Sequence, residues 1–228
     1  VEGEGPGVYP VVDEADAEGN LRAIRDARRQ ADYVLVHLHT HEWEPQGGLS
    51  VPAKFVPPFA RACIDAGADV FIGEGSHAPL RGIEVYKNRP IFYDPGDFIA
   101  MSHTVTKLPS DFYWRAGYSA EAHRWEATTA DAFDARAALP AALNPPGGYY
   151  STPVIGAVIA VCTFGEGHNL TSVKLHPVTM VHEPRPRCGL PLKADAETGK
   201  KIVNYLAELS AAFGTTIKFK DGVGLVHV

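Results

Sequence analysis

The chain has 228 residues, 45% of them hydrophobic and 21% charged, which is enough for a substantial core in one domain. Its net charge of −6 and the lack of any Lys/Arg block exclude a nucleic-acid surface. No run approaches ~20 uninterrupted apolar residues, so no membrane span is expected. Three distant cysteines, Cys63, Cys162 and Cys188, form no CxxC pair; buried free thiols and a reducing, cytoplasmic compartment are expected.

In chain order, residues 1–18 are rich in Gly, Pro and acids and read as irregular. Val1-Glu2-Gly3-Glu4-Gly5 has neither Met nor a signal-peptide pattern, and the chain is expected to be part of a longer protein. Asn20 is expected to cap a helix with Leu21, Ile24, Ala27 and Ala31 on one side. The apolar run Tyr33–Leu38 predicts a strand buried on both faces, followed by a polar loop to Ser50. Phe59–Ala66 reads as a helix, with Pro58 in its first turn and Gly67 as its cap. Val70-Phe71-Ile72 is a short strand running into "GEGSH".

Ile83–Tyr86 and Pro90–Tyr93 predict a hairpin across Lys87-Asn88, emptying into Asp94-Pro95-Gly96-Asp97. Residues 101–150 are irregular and lid-like, with one helix near Asp131–Ala138. Thr152–Phe164 and Leu170–Val178 predict a second hairpin. Asp195 should cap a helix with Ile202, Tyr205, Leu206 and Leu209 on one face, and Ile217–Lys220 with Val223–Val228 should close the chain as a hairpin. Helices alternating with strands place the chain in the α/β class, and it is expected to form one domain over 1–228.

The chemistry gathers at three strand ends. His37, His39 and His41 alternate, so an extended backbone puts them on one side at the carboxyl end of a strand, where α/β sheets bind ligands. Neutral imidazole is also the commonest metal ligand. Glu74 and His77 follow the second strand, between glycines that permit close approach. Asp94 and Asp97 follow the third. Each loop alone can be an ordinary turn, but three converging ends predict a pocket. His37, still on the strand, is the histidine expected to be structural.

Asp32–Ala100 and Leu175–Val226, through "VHLHTHE", "IDAGADVFIGEGSHAPLRGIEVYKNRPIFYDPGDFI", "LHPV" and "ELSAAFGTTIKFKDGVGLV", resemble the CapA-like family of capsule and poly-γ-glutamate synthesis. That family falls within the calcineurin-like metallophosphatase superfamily. The resemblance implies a four-layered α-β-β-α sandwich of the metallophosphoesterase type, of which this chain looks like the C-terminal half. An N-terminal half bearing the superfamily's early Asp and Asn-His motifs would then be required. His39 and His77 fall where the family keeps histidines; Glu74 stands where relatives have His, and "DPGDF" replaces "SLGNF".

Candidate metal ligands are therefore His39, His41, His77 and Glu74, with Mn²⁺, Mg²⁺ or Zn²⁺ as the ion and a metal-free site as the alternative. Candidate catalytic groups are His77, Glu74, His39 and Asp97. Glu42, Asp94, His103, His123 and Trp114, the last within the aromatic Phe112-Tyr113-Trp114, are candidate substrate contacts. Three functions are compatible with this set: metal-dependent hydrolysis of a peptide-like or phosphoester substrate, metal-free epimerisation at a peptide α-carbon, and non-catalytic binding of a polyanionic or peptide chain.

Overall fold

A computed structural model describes residues 10–44, 48–76, 80–99, 105–118, 127–137, 156–181, 187 and 189–228. In chain order the elements are α1 (Glu14–Arg28), β1 (Leu35–His39), β2 (Trp43–Glu44), β3 (Gly48–Pro52), α2 (Val56–Asp65), β4 (Val70–Glu74), β5 (Arg81–Tyr86) and β6 (Arg89–Asp94). Then follow α3 (Ser110–Arg115), α4 (Thr129–Ala137), β7 (Ala157–Phe164), β8 (Leu170–Met180), β9 (Pro191–Lys193), α5 (Ala196–Ala211), β10 (Ile217–Lys220) and β11 (Val223–Val226).

Two sheets carry the α/β architecture. The first has the order β1-β4-β6-β5, with β1, β4 and β6 parallel and β5 antiparallel to β6. The second is antiparallel in the order β10-β11-β8-β7, and β9 joins β8. The parallel order has a direct consequence for function, because it brings the carboxyl ends of β1, β4 and β6 to one edge of the sheet. The three-loop convergence expected from sequence is realised there.

One face of the first sheet packs against α1 and α2 through Ile24, Val56, Ala60, Cys63, Phe71, Ile91 and Tyr93. Its other face shares a core with the second sheet and α5, built on Leu80, Ile83, Phe92, Val173, Leu175, Ile202, Val203 and Leu206. Burying each such aliphatic side chain contributes about 1.5–3 kcal/mol. Helix α5 also closes the free edge of β5: the backbone N–H of Ile83 donates to Ser210 Oγ at 2.9 Å. A strand edge so covered offers no template for stray pairing.

Several expectations need correction. The first helix begins at Glu14, capped by Asp13, whose carboxylate accepts from the N–H groups of Ala15 and Asp16. Asn20 lies inside that helix and donates to Asp16 O. Asp13 wins because acids in the first turn, Glu14 and Asp16, complement the helix dipole. The second helix likewise starts earlier, at Val56, with prolines in its first turn. The "polar loop" to Ser50 contains the small β2–β3 hairpin.

β1 is not buried on both faces. It is an edge strand whose odd residues face outward, with Leu35 61% exposed, because the second sheet does not reach over it. In 101–150, the described residues form two helices that share a small cluster of Tyr113, Ala116 and Ala132, the second at the place of the helix expected near Asp131.

The two later hairpins and the Asp195-capped helix occur as expected; Asp195 accepts from Thr198 N–H at 2.8 Å. Lys87 and Asn88 both take positive φ, the requirement of a tight two-residue hairpin turn. Cys63 and Cys162 are free thiols, and burial raises them to about 12 and about 11; Cys188 lies outside the described residues. Among the described residues no helix is long and apolar enough to cross a membrane.

Candidate functional site

The site is set by strand register. In the parallel β1–β4 ladder, His39 is the partner of Glu74, and neighbouring residues on one face of a sheet bring their side chains together. His39 Nδ1 is hydrogen-bonded to Glu74 Oε1. On the far side of the ring, His39 Nε2 faces His41 Nε2 at 3.0 Å, and the two imidazoles meet edge to face. His37, two residues back on the same strand face, places Nε2 3.6 Å from the same Glu74 oxygen. The side chains of His37, His39 and Glu74 are 59%, 56% and 41% exposed, so the group is open to a ligand.

That geometry fixes roles within the pair. A carboxylate only accepts hydrogen bonds, so Nδ1 of His39 carries the proton and Nε2 carries the lone pair. The second ring nitrogen of a ligating or basic histidine is commonly held this way, with the carboxylate setting the tautomer. His39 Nε2 is thereby the basic atom of the site. His37, expected to be structural, is exposed and stands beside this group.

The loop after β4 approaches His39 closely. Gly75 has φ +97, and a Cβ there would lie 2.9 Å from His39 Cε1. Gly75→Ala is expected to add about 1–2 kcal/mol of backbone strain and to push the imidazole off Glu74. Misplacing a reacting group by ~1 Å costs roughly 10²-fold in rate, so a loss of this order in kcat/KM, with the global fold retained by circular dichroism, is the outcome to look for.

Asp94 supports the site from behind. It is 4% exposed, and its two carboxylate oxygens accept from Ser76 N–H at 3.1 Å and Gly96 N–H at 2.9 Å. It ties the loops after β4 and β6 together. Asp97 lies half-buried on the same turn. Glu42 sits at the rim, its carboxylate accepting from the Thr40 hydroxyl, which with its own backbone N–H and the nearby His41 and Arg81 charges holds it below the usual carboxylate range.

Trp114 is 75% exposed on α3, a helix that packs against α4. His77, His103 and His123 lie outside the described residues.

Sequence reasoning missed Arg81. It is 1% exposed and donates from Nε to Leu49 O and from Nη2 to Glu42 O, both at 2.9 Å, while its charge faces Asp94 and Glu42. A buried cation therefore joins the β2–β3 hairpin, the His41–Glu42 turn and the Asp94 loop. Its sequence signal is slight: one Arg opening an apolar strand, with partners 32 and 39 residues away.

By donor type, two imidazole nitrogens at one point with a carboxylate behind them suit a divalent cation. Among the described residues, however, no group of three or more His, Cys, Asp or Glu forms a complete shell. His39 and His41 would fill two positions only.

Comparison with known proteins finds a family match for part of the chain. Residues 4–102 match the family model described as bacterial capsule synthesis protein PGA_cap. The chain is 32% identical over 209 residues to the uncharacterized protein y4sH of Sinorhizobium fredii, covering 91% of this chain and 44% of that protein. It is 38% identical over 94 residues to the PGA biosynthesis protein CapA of Bacillus subtilis, covering 41% of this chain and 22% of the relative. The capsule biosynthesis protein CapA of Bacillus anthracis matches over 81 residues at 33% identity, 35% of this chain and 19% of that one. The chain thus spans less than half the length of these relatives.

Proposed function

Since this chain belongs, through residues 4–102, to the CapA-like PGA_cap family, we propose that His39 and Glu74 form the chemical centre of an enzyme acting on a peptide-like, carboxylate-bearing chain. The reaction we assign is hydrolysis assisted by a divalent cation. The observation that carries this reading is the orientation of His39, with Nδ1 held by Glu74 and Nε2 turned to His41 Nε2. Two facing imidazole nitrogens need either a proton or a cation between them.

Local charge favours the cation. Glu42 and Glu74 line the rim in a chain of net charge −6, so an acidic substrate would be repelled unless positive charge bridged it to the site. His39 and His41 would hold the ion, and His77 is the further ligand we assign from this chain. When bound, such an ion lowers the pKa of a water molecule towards ~7 and polarises the oxygen under attack. The chain's own residues orient the site: Glu74 fixes the His39 tautomer, Asp94 fixes the loop after β4, and Arg81 fixes the His41–Glu42 turn. The relatives carry more than half of their length outside the matched segment. We assign that remainder to the open edge of β1, beside His39, where it would complete the ligand set.

A second reading is metal-free proton transfer at a peptide α-carbon. It is favoured by one observation, the unbroken run of contacts His37–Glu74–His39–His41, which is suited to passing a proton. The discriminating experiment uses the full-length protein with α- and γ-linked glutamyl oligopeptides in D₂O, with and without EDTA. Cleavage that is lost on chelation and restored by Mn²⁺ is the expected result. Deuterium incorporation at the α-carbon without metal would replace it with the second reading. Tight binding with no turnover in any condition would leave a non-catalytic binding protein.

A further inference from the structure

A second cluster lies at the opposite end of β4 from Glu74, roughly 16 Å away at the usual rise of a strand. Asp69, with its side chain only 3% exposed, accepts from Val34 N–H and Arg28 Nη1 at 2.8 and 2.7 Å, and contacts His168 Nδ1 at 3.0 Å. Arg89 Nε stands 3.6 Å from the same carboxylate. Around them opens a cavity of about 290 Å³, lined by Arg28, Ile64, Gly67, Ala68, Asp69, Arg89 and His168.

The charges do not balance within that lining, where two guanidinium groups face one carboxylate. Arg28 gives Nη1 to Asp69 and Nη2 to the carbonyls of Ala31 and Asp32. Arg89 turns Nε to Asp69. Its terminal nitrogens Nη1 and Nη2 each donate to one carbonyl, those of Asn88 and Gly167, both at 3.1 Å, and each carries a second hydrogen.

His168 adopts φ +62 in the turn between β7 and β8, with its ring against Tyr33 at 4.7 Å.

We propose that this cavity binds a small oxyanion, a carboxylate or a phosphate, on Arg89, with the His168 ring forming one wall of the cavity. The guanidinium supplies the paired donors that such groups accept, Asp69 holds the imidazole in place, and Arg28 keeps Asp69 neutralised. The cavity has room for a phosphate, given that a water molecule takes about 30 Å³. The site is independent of the His39–Glu74 reaction.

Calorimetric titration of the protein with inorganic phosphate and, separately, with acetate tests it. Saturable binding of either ion is expected, weakened roughly tenfold or more in Arg89→Met, the loss that goes with one charge-assisted pair. Binding should be unchanged in Glu74→Gln at the other end of β4. A preference for phosphate would assign the cavity to phosphate-bearing ligands and a preference for acetate to carboxylates; both support the proposal. Absence of saturable binding, or wild-type affinity in Arg89→Met, would overturn it. Should Arg89→Met fail to fold, Arg89→Lys decides, since it keeps the charge but loses the fork; undiminished affinity there would also overturn it.

Discussion

Glu74→Gln is expected to slow the proposed hydrolysis by the full-length protein about 10- to 100-fold, the usual cost of removing a carboxylate that orients a functional histidine. The substitution keeps the shape of the side chain but removes the charge that holds the proton on His39 Nδ1. Gln can present its NH₂ to the ring as readily as its oxygen, so both tautomers of His39 become populated. Because the Glu74 side chain is 41% exposed, stability should change by no more than ~0.5 kcal/mol. His39→Ala removes the basic atom itself and should cost roughly 10²–10⁴-fold. Steady-state kinetics on the substrate identified in the D₂O experiment checks both. If Glu74→Gln turned over like the wild type, Glu74 would be an ordinary turn residue and the pairing would have no functional weight.

The largest stability effect should come from Arg81→Met, a substitution outside the reacting group. It removes a fully buried cation and the donors to two partly buried carbonyls, Leu49 O and Glu42 O, while leaving the 4%-exposed Asp94 without its facing charge. Breaking one side of a buried ionic arrangement costs about 3–5 kcal/mol, and an unsatisfied buried polar group about 1–3 kcal/mol. These costs overlap, so a net loss of about 3–4 kcal/mol is expected. Urea denaturation should show a lower midpoint with an unchanged slope. Adding Asp94→Asn should recover part of the loss, because the uncompensated carboxylate is then gone. An unaltered midpoint in Arg81→Met would mean that hydrophobic packing alone holds the β2–β3 hairpin in place.

How far the sequence could be read depended on whether a feature was local. The Lys87-Asn88 and Asp221-Gly222 turns, the Asp195 cap and the apolar face of α5 are decided by residues within a few positions of each other, and all were legible. The convergence of the loops after β1, β4 and β6 was legible too, because parallel strands place all their carboxyl ends on one side. The status of β1 was not. "VLVHL" reads the same whether one or both faces are covered, and only the position of the second sheet leaves Leu35 and His37 open. Arg81 and Asp94 were illegible for a related reason: their partners are far along the chain, and a buried carboxylate that receives two N–H groups has the same letter as one that awaits a substrate.

The central claim, that Glu74 fixes His39 with its basic nitrogen at Nε2, is tested most directly by long-range ¹H–¹⁵N NMR of the histidine rings in metal-free protein at about pH 8, above the usual imidazole range. The account predicts His39 as the Nδ1–H tautomer, with an unprotonated Nε2, and a mixed tautomer in Glu74→Gln. An Nε2–H tautomer in the wild type, indifferent to Glu74→Gln, would contradict it.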